Sequence, residues 1–168
     1  MAVITLNAEL RTELGGSSAK QLRRSGRVPG VVYGHGENSR AFHVKELDLR
    51  PLVYTHETHT VSLVLDGSST SCILREIQFH PVTDRISHID LVALHAGEKV
   101  RVEVPVNLTG SAQGVKDGGV LDVVLHKIAI ECLPDAIPAR IDLDISSLKI
   151  GHSFHVSNLP DHPGYAVL

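Results

Sequence analysis

Five cations crowd one short stretch of this sequence. Between residues 11 and 27, Arg11, Lys20, Arg23, Arg24 and Arg27 are balanced by Glu13 alone, a local charge of +4. Guanidinium and ammonium groups at that density can follow a phosphate backbone and release its counterions. The same spacing suits an ordinary solvated helix face, and charge alone does not separate the two. A second group is His88-Ile89-Asp90. Residues two apart on a strand share a face, so the imidazole and carboxylate would stand together, able to hydrogen-bond a base edge, a 2′-hydroxyl or each other. Tyr33 is the third candidate. The chain has only three Tyr, three Phe and no Trp, and a ring exposed after Pro29-Gly30 could stack on a base or ribose. The alternative is a Tyr half-buried in a barrel wall.

Eleven histidines raise a different chemistry. His80, Asp84, His88 and Asp90 lie close in sequence, which opens a metal-dependent hydrolase as one reading. Pro81 and a turn separate His80 from His88, so the spacing of a helical zinc motif is lacking. His56-Glu57-Thr58-His59 is one residue short of His-Glu-x-x-His. No Gly-x-Ser-x-Gly elbow and no phosphate loop occurs, since Gly15-Gly16-Ser17-Ser18-Ala19-Lys20 fits the latter only loosely. Cys72 and Cys132 sit in apolar runs, as buried thiols do. These features predict a binding protein and not an enzyme, with no metal, cofactor or small-molecule substrate.

No run approaches the ~18 apolar residues of a membrane span, and the N-terminus has neither a basic region nor a signal-peptide core. A cytoplasmic protein without membrane association is the expectation. The net charge of −3 disfavours a nucleic-acid partner on average, but it is unevenly spread. Residues 1–96 hold ten Lys/Arg and ten Asp/Glu; residues 97–168 hold six and nine, which supplies the whole −3. Location matters more than the sum.

Positioning these groups requires mostly strands. Val3 to Leu10 alternates as a strand. A short helix follows, with Ser18 and Gln21 at capping-box spacing and Gly26 as a left-handed stop. Ala19 and Leu22 would face inward and the cations outward. Val28-Pro29-Gly30-Val31 fits a type II turn before a strand at Val31 to Tyr33, which Gly34-His35-Gly36 ends. Strands are expected at Phe42 to Val44, Thr60 to Leu65, Ser71 to Phe79 and Ile86 to Leu94, with a hairpin turn at Asp66-Gly67-Ser68-Ser69. A helix within residues 45–55 would need Pro51 in its first turn. His95-Ala96-Gly97-Glu98 is the natural boundary. Beyond it the texture is nearly pure β: Lys99 to Leu108, Gly119 to Val124, Lys127 to Leu133 and Arg140 to Ile145. The fold class is therefore mostly β with a few short helices, in two β-rich modules, residues 1–95 and 97–168.

Several spaced motifs then act together. Arg11, the run Leu22-Arg23-Arg24-Ser25-Gly26-Arg27-Val28-Pro29-Gly30-Val31-Val32-Tyr33-Gly34, His88-Ile89-Asp90-Leu91, Val104-Pro105-Val106, Gly110 through Leu121, and Ile137-Pro138 occur in an order that resembles the two-domain form of the bacterial large-subunit ribosomal protein numbered twenty-five, the family that includes general stress protein CTC. The resemblance implies an N-terminal β-barrel bound to 5S rRNA at its internal loop E, within the large ribosomal subunit and beside other ribosomal proteins. It maps RNA contact onto Arg11, Arg23, Arg24, Tyr33, His88 and Asp90. It assigns nothing to His35, His56, His59 or His152, and longer members continue past the equivalent of Leu168. From another class comes a stress-responsive adaptor whose acidic second module binds a protein.

Overall fold

The computed structural model describes residues 3–34, 39–159 and 164–168. His35 and Gly36, expected to end the third expected element, lie outside the described residues. The chain is mostly β, in two sheets. In the first half, β1 (Val3–Leu10), β2 (Arg27–Tyr33), β3 (Arg40–Lys45), β4 (Thr60–Leu65), β5 (Ser68–Phe79) and β6 (Ile86–Ala93) close a six-stranded barrel in the order β1-β3-β2-β6-β5-β4. The barrel is sealed by parallel pairing of β1 with β4 and of β2 with β6. Period-2 alternation fills it. Leu6, Phe42, Val61, Leu63, Ile89 and Leu91 are inaccessible to water, and the residues between them face out.

The β4–β5 hairpin is tighter than expected. Leu65 pairs with Ser68, so Asp66 and Gly67 alone form the turn, both at positive φ (49° and 82°). Two left-handed residues match the strand twist, as in a type I′ turn. The type II turn expected at Val28-Pro29-Gly30-Val31 does not form: these residues run straight through β2. Gly30 serves space and not backbone freedom. A Cβ there would lie 2.7 Å from both Ile89 Cγ1 and Phe42 Cζ. Pairing with β6 starts only at Gly30, one residue beyond Pro29, so the missing Pro29 N–H costs that ladder nothing.

Helix α1 (Gly16–Arg24) begins two residues before Ser18, with Gly15 at the N-cap and no side-chain cap bond. The capping box is therefore not made; Ser18 Oγ instead donates to the Glu13 carbonyl at 3.3 Å. Gly26 does adopt positive φ (76°) after the helix. Ser25 N–H donates to the Gln21 and Leu22 carbonyls and Gly26 N–H to that of Arg23, satisfying three of the last four helix carbonyls. No α1 residue is fully buried, so Ala19 and Leu22 lean on the barrel only in part. Helix α2 (Glu46–Val53) contains Pro51 well past its first turn. Buried Leu49 and Leu52 hold it against the barrel core, which outweighs the one lost bond.

The second module is a four-stranded sheet in the order β10-β8-β7-β9, from β7 (Val100–Thr109), β8 (Lys127–Cys132), β9 (Ile141–Asp144) and β10 (Tyr165–Val167). Residues 119–124, expected as a strand, form none, and a short helix α3 (Gln113–Lys116) precedes them. Val120 and Val124 are 96% and 82% exposed; their β-branched composition signalled a strand, but no neighbouring strand pairs with them. The segment walls an apolar cavity of about 670 Å³ opposite Leu148, Ile150 and Phe154.

The modules touch. Ile73 of β5, 1% exposed, belongs to the second core with Val102, Ile130 and Ile141. Thr58 N–H donates to the Ala139 carbonyl at 2.8 Å, and Arg140 lies 3.8 Å from Glu57. A register shift in β5 leaves Arg75 opposite no β6 residue. A bulge of this kind re-aims a side chain, and Arg75 donates to the Arg101 carbonyl on β7.

Candidate nucleic-acid interface

Strand register decides which candidate residues meet. Arg11 N–H donates to the Ala41 carbonyl at 2.9 Å just beyond β1. Ala41 pairs with Val31, Val31 with Asp90, and Asp90 with Glu76. These five residues form one row across β1, β3, β2, β6 and β5, out of phase with the buried Phe42, Val32, Ile89 and Leu91 and therefore on the outer face. Tyr33 sits two residues along β2 from Val31, beside Val92, and His88 two residues along β6 from Asp90, beside Gln78. Arg11, Tyr33, His88 and Asp90 thus share one convex sheet face. Strands lie ~4.8 Å apart, so the row from Arg11 to Asp90 crosses three intervals, about 14 Å.

His88 Nδ1 stands 2.7 Å from Asp90 Oδ1, and the side chains are 24% and 26% exposed. Oδ1 is itself shut off from water and has no aligned hydrogen-bond donor, because the close approach is out of line for one. Burial pushes the Tyr33 hydroxyl above its ordinary range; the Asp90 carboxylate adds to this and the Arg75 guanidinium opposes it. The phenol therefore stays protonated, a donor on a residue that is 37% exposed. Arg11 Nη2 donates to the Glu13 carbonyl at 3.2 Å, whereas its Nε is buried without a partner among the described residues.

The helix cations reach this face from one edge. Arg23 Nε donates to the Ser87 carbonyl at 2.8 Å, one residue before His88, which fastens α1 to β6. Arg24 is exposed and has no side-chain partner among the described residues. Arg27 is committed elsewhere, 2.6 Å from Glu9 Oε2 and 3.1 Å from His43 Nδ1. Its hydrogen bond holds the Glu9 carboxyl below the usual range, and burial with the Arg27 charge lowers His43. His88, Asp90 and Arg23 therefore gather at one end of β6, Tyr33 and Arg11 lie further across the same face, and Arg24 follows Arg23 in the last turn of α1.

The hydrolase reading finds no assembly. His80 Nδ1 accepts from the Val82 and Thr83 amides at 3.3 Å each, and His88 Nδ1 faces Asp90. Among the described residues no three His, Cys, Asp or Glu side chains converge to hold a metal. Two features have no signal in the sequence: Arg75, whose bulge carries no compositional mark, and Gln78, which the β5–β6 register sets beside His88.

Comparison with known proteins decides the family. Residues 6–91 match the Ribosomal L25p family and residues 99–168 match "Ribosomal protein TL5, C-terminal domain". The chain belongs to the Ribosomal L25p family. Its relatives named "Large ribosomal subunit protein bL25" include those of Chloroherpeton thalassium, 43% identical over 95% of this chain and 80% of that protein, and of Geotalea uraniireducens, 43% identical over 97% and 86%. That of Porphyromonas gingivalis is 41% identical over 95% and 83%. Members of the Ribosomal L25p family are structural ribosomal proteins and not enzymes.

Proposed function

We propose that this chain is a structural protein of the large ribosomal subunit that binds 5S rRNA at loop E through the outer face of β1, β3, β2, β6 and β5. The row that carries Arg11 and Asp90 across five strands, with Tyr33 and His88 beside it, is the observation behind this reading. A-form RNA displays base edges and 2′-hydroxyls in a wide, shallow minor groove, and a convex sheet face fits such a surface where a helix would not. Each group has a role by its chemistry. Arg11, Arg23 and Arg24 contact phosphates or base acceptors. The Tyr33 ring packs on a ribose while its hydroxyl donates. His88 and Asp90 read donors and acceptors on exposed edges.

Residues 1–95 carry the RNA contact, and residues 97–168, with six Lys/Arg against nine Asp/Glu, turn away from phosphate. The protein works in the cytoplasm, on the ribosome. Titration of the full chain against isolated 5S rRNA and against the same RNA with loop E converted to Watson–Crick pairs tests the reading. Tighter binding to the native RNA supports it; equal binding to both refutes it.

A further inference from the structure

The outer face of the barrel carries one charge arrangement that does not suit an anionic partner. Glu76 on β5 stands directly opposite Asp90 on β6, in the row that begins at Arg11. Like charges in that cross-strand position repel one another, and two carboxylates together repel phosphate. Neither is paired with an Arg or Lys among the described residues; Asp90 has only the His88 ring within ion-pair distance.

The bulge in β5 sets a third charge beside this pair. Leu74 pairs with Leu91 and packs on the barrel core, while Glu76 pairs with the outward Asp90, so Arg75 is the inserted residue. Both neighbours keep their faces, and the extra side chain is exposed. Its Nη1 donates to the main-chain carbonyl of Arg101 on β7. That strand belongs to the second module, whose core also covers Ile73 on β5 and its partner Val92 on β6. Val92 pairs in turn with Tyr33. The second module therefore reaches to within one strand of Tyr33 and fixes Arg75 at the seam. The Tyr33 hydroxyl lies in the field of all three charges. Burial raises it most, Asp90 raises it further, Arg75 opposes them, and Glu76 adds to the rise.

We propose that Arg75 is a positioning residue of the RNA face: anchored on the second module, its guanidinium offsets the Glu76–Asp90 carboxylate pair, so that Asp90 and Tyr33 can stand beside a phosphate-bearing strand. The proposal rests on the rRNA-binding reading above. It gives the acidic second module a part in recognition without any contact of its own with RNA. Arg75 acts through the field it sets at Asp90, Glu76 and Tyr33, and its bond to the Arg101 carbonyl draws it toward β7.

The test uses the full chain with Arg75→Gln, Arg75→Lys, Glu76→Gln and the double substitution Arg75→Gln with Glu76→Gln. The Tyr33 ring is followed by NMR through its alkaline titration in the free protein, and affinity for 5S rRNA is measured across a salt series. Arg75→Gln is expected to move Tyr33 ionisation to higher pH, because the two carboxylates then act unopposed. It should weaken binding about twofold to fivefold, the range for exposed charges, with the salt slope unchanged. Arg75→Lys keeps the charge and should recover most of both effects. Glu76→Gln should strengthen binding more in the Arg75→Gln background than in the wild type, as charges that act on each other require. A salt slope lower by about one in Arg75→Gln would mark a direct phosphate contact and overturn the positioning role. Failure of lysine to rescue, or an equal effect of Glu76→Gln in both backgrounds, would overturn it too. Wild-type Tyr33 titration and affinity in Arg75→Gln would reduce Arg75 to a tie between modules and leave the rest of the sheet face standing. Absence of 5S rRNA binding by the wild type would remove both readings.

Discussion

His88 Nδ1 and Asp90 Oδ1 stand 2.7 Å apart on the outer face of one strand. Ile89 between them is wholly buried against Gly30, so the backbone that carries both side chains is fixed in the barrel wall. A pair held this way offers fixed polar geometry, which recognition requires. Asp90→Asn keeps the shape but replaces an acceptor-only carboxylate with a group that both donates and accepts. It is expected to reduce the ratio of affinities for native and altered loop E while changing affinity for unrelated duplex RNA by much less. Parallel titrations of both RNAs measure this directly.

Arg23 and Arg24 adjoin in sequence but differ in attachment. Arg23 is tied to the Ser87 carbonyl and Arg24 to nothing described. Alanine at either position is expected to weaken 5S rRNA binding by about 1–3 kcal/mol, the range for charge-assisted contacts. Only Arg23→Ala should also loosen α1, visible as faster amide exchange across residues 16–24. Wild-type binding by both folded variants would reduce the helix to a solvated face.

Gly30→Ala is expected to destabilise the fold. Its Cβ would press on Phe42 Cζ and on Ile89 Cγ1 at 2.7 Å, and on the Ile89 carbonyl at 2.8 Å. Overpacking of this kind costs about 1–3 kcal/mol. Because Ile89 lies between His88 and Asp90, RNA affinity should fall along with the denaturation midpoint, in contrast to a simple loss of contact.

Alternation made most of the barrel legible in advance. Thr60 to Leu65 reads as a half-buried strand and is one, Ile86 to Leu94 reads as another and forms it from Ile86 to Ala93, and the expected inward Ile89 and Leu91 already implied that His88 and Asp90 face out together. Gly30 was legible as constrained but not why: Pro-Gly signals a turn locally, and only the pairing of β2 with β6 reveals that a side chain would strike Ile89. Residues 119–124 misled for a related reason, since apolar β-branched residues signal a strand whether or not a partner strand is available. Arg11 and Asp90, nearly eighty positions apart, come onto one row of the outer face through the pairing of β1, β3, β2 and β6, which no local pattern carries. The link through Ile73 was hidden too, because an outward apolar residue on a barrel strand looks like any other until the second module covers it.

That link bears on how the modules separate. Removing residues 97–168 uncovers Ile73 and frees Arg75 from the Arg101 carbonyl. Residues 1–95 are expected to fold and keep most of the 5S rRNA affinity, at lower stability and solubility than the full chain; residues 97–168 alone should bind poorly. In the full chain Ile73→Ala should cost about 2–5 kcal/mol, as for other buried large-to-small changes, whereas in the isolated segment it should cost little. Chemical denaturation of all four proteins measures the difference.

The central claim is that a chain of net charge −3 binds 5S rRNA through a small cationic surface. Affinity of the full chain for 5S rRNA, measured over a series of salt concentrations beside an unrelated hairpin of equal length, tests it most directly. Several phosphate contacts predict that log affinity falls steeply and linearly with log salt, with 5S rRNA bound more tightly than the hairpin at every concentration. A flat salt dependence, or equal affinity for the two RNAs, would contradict the account.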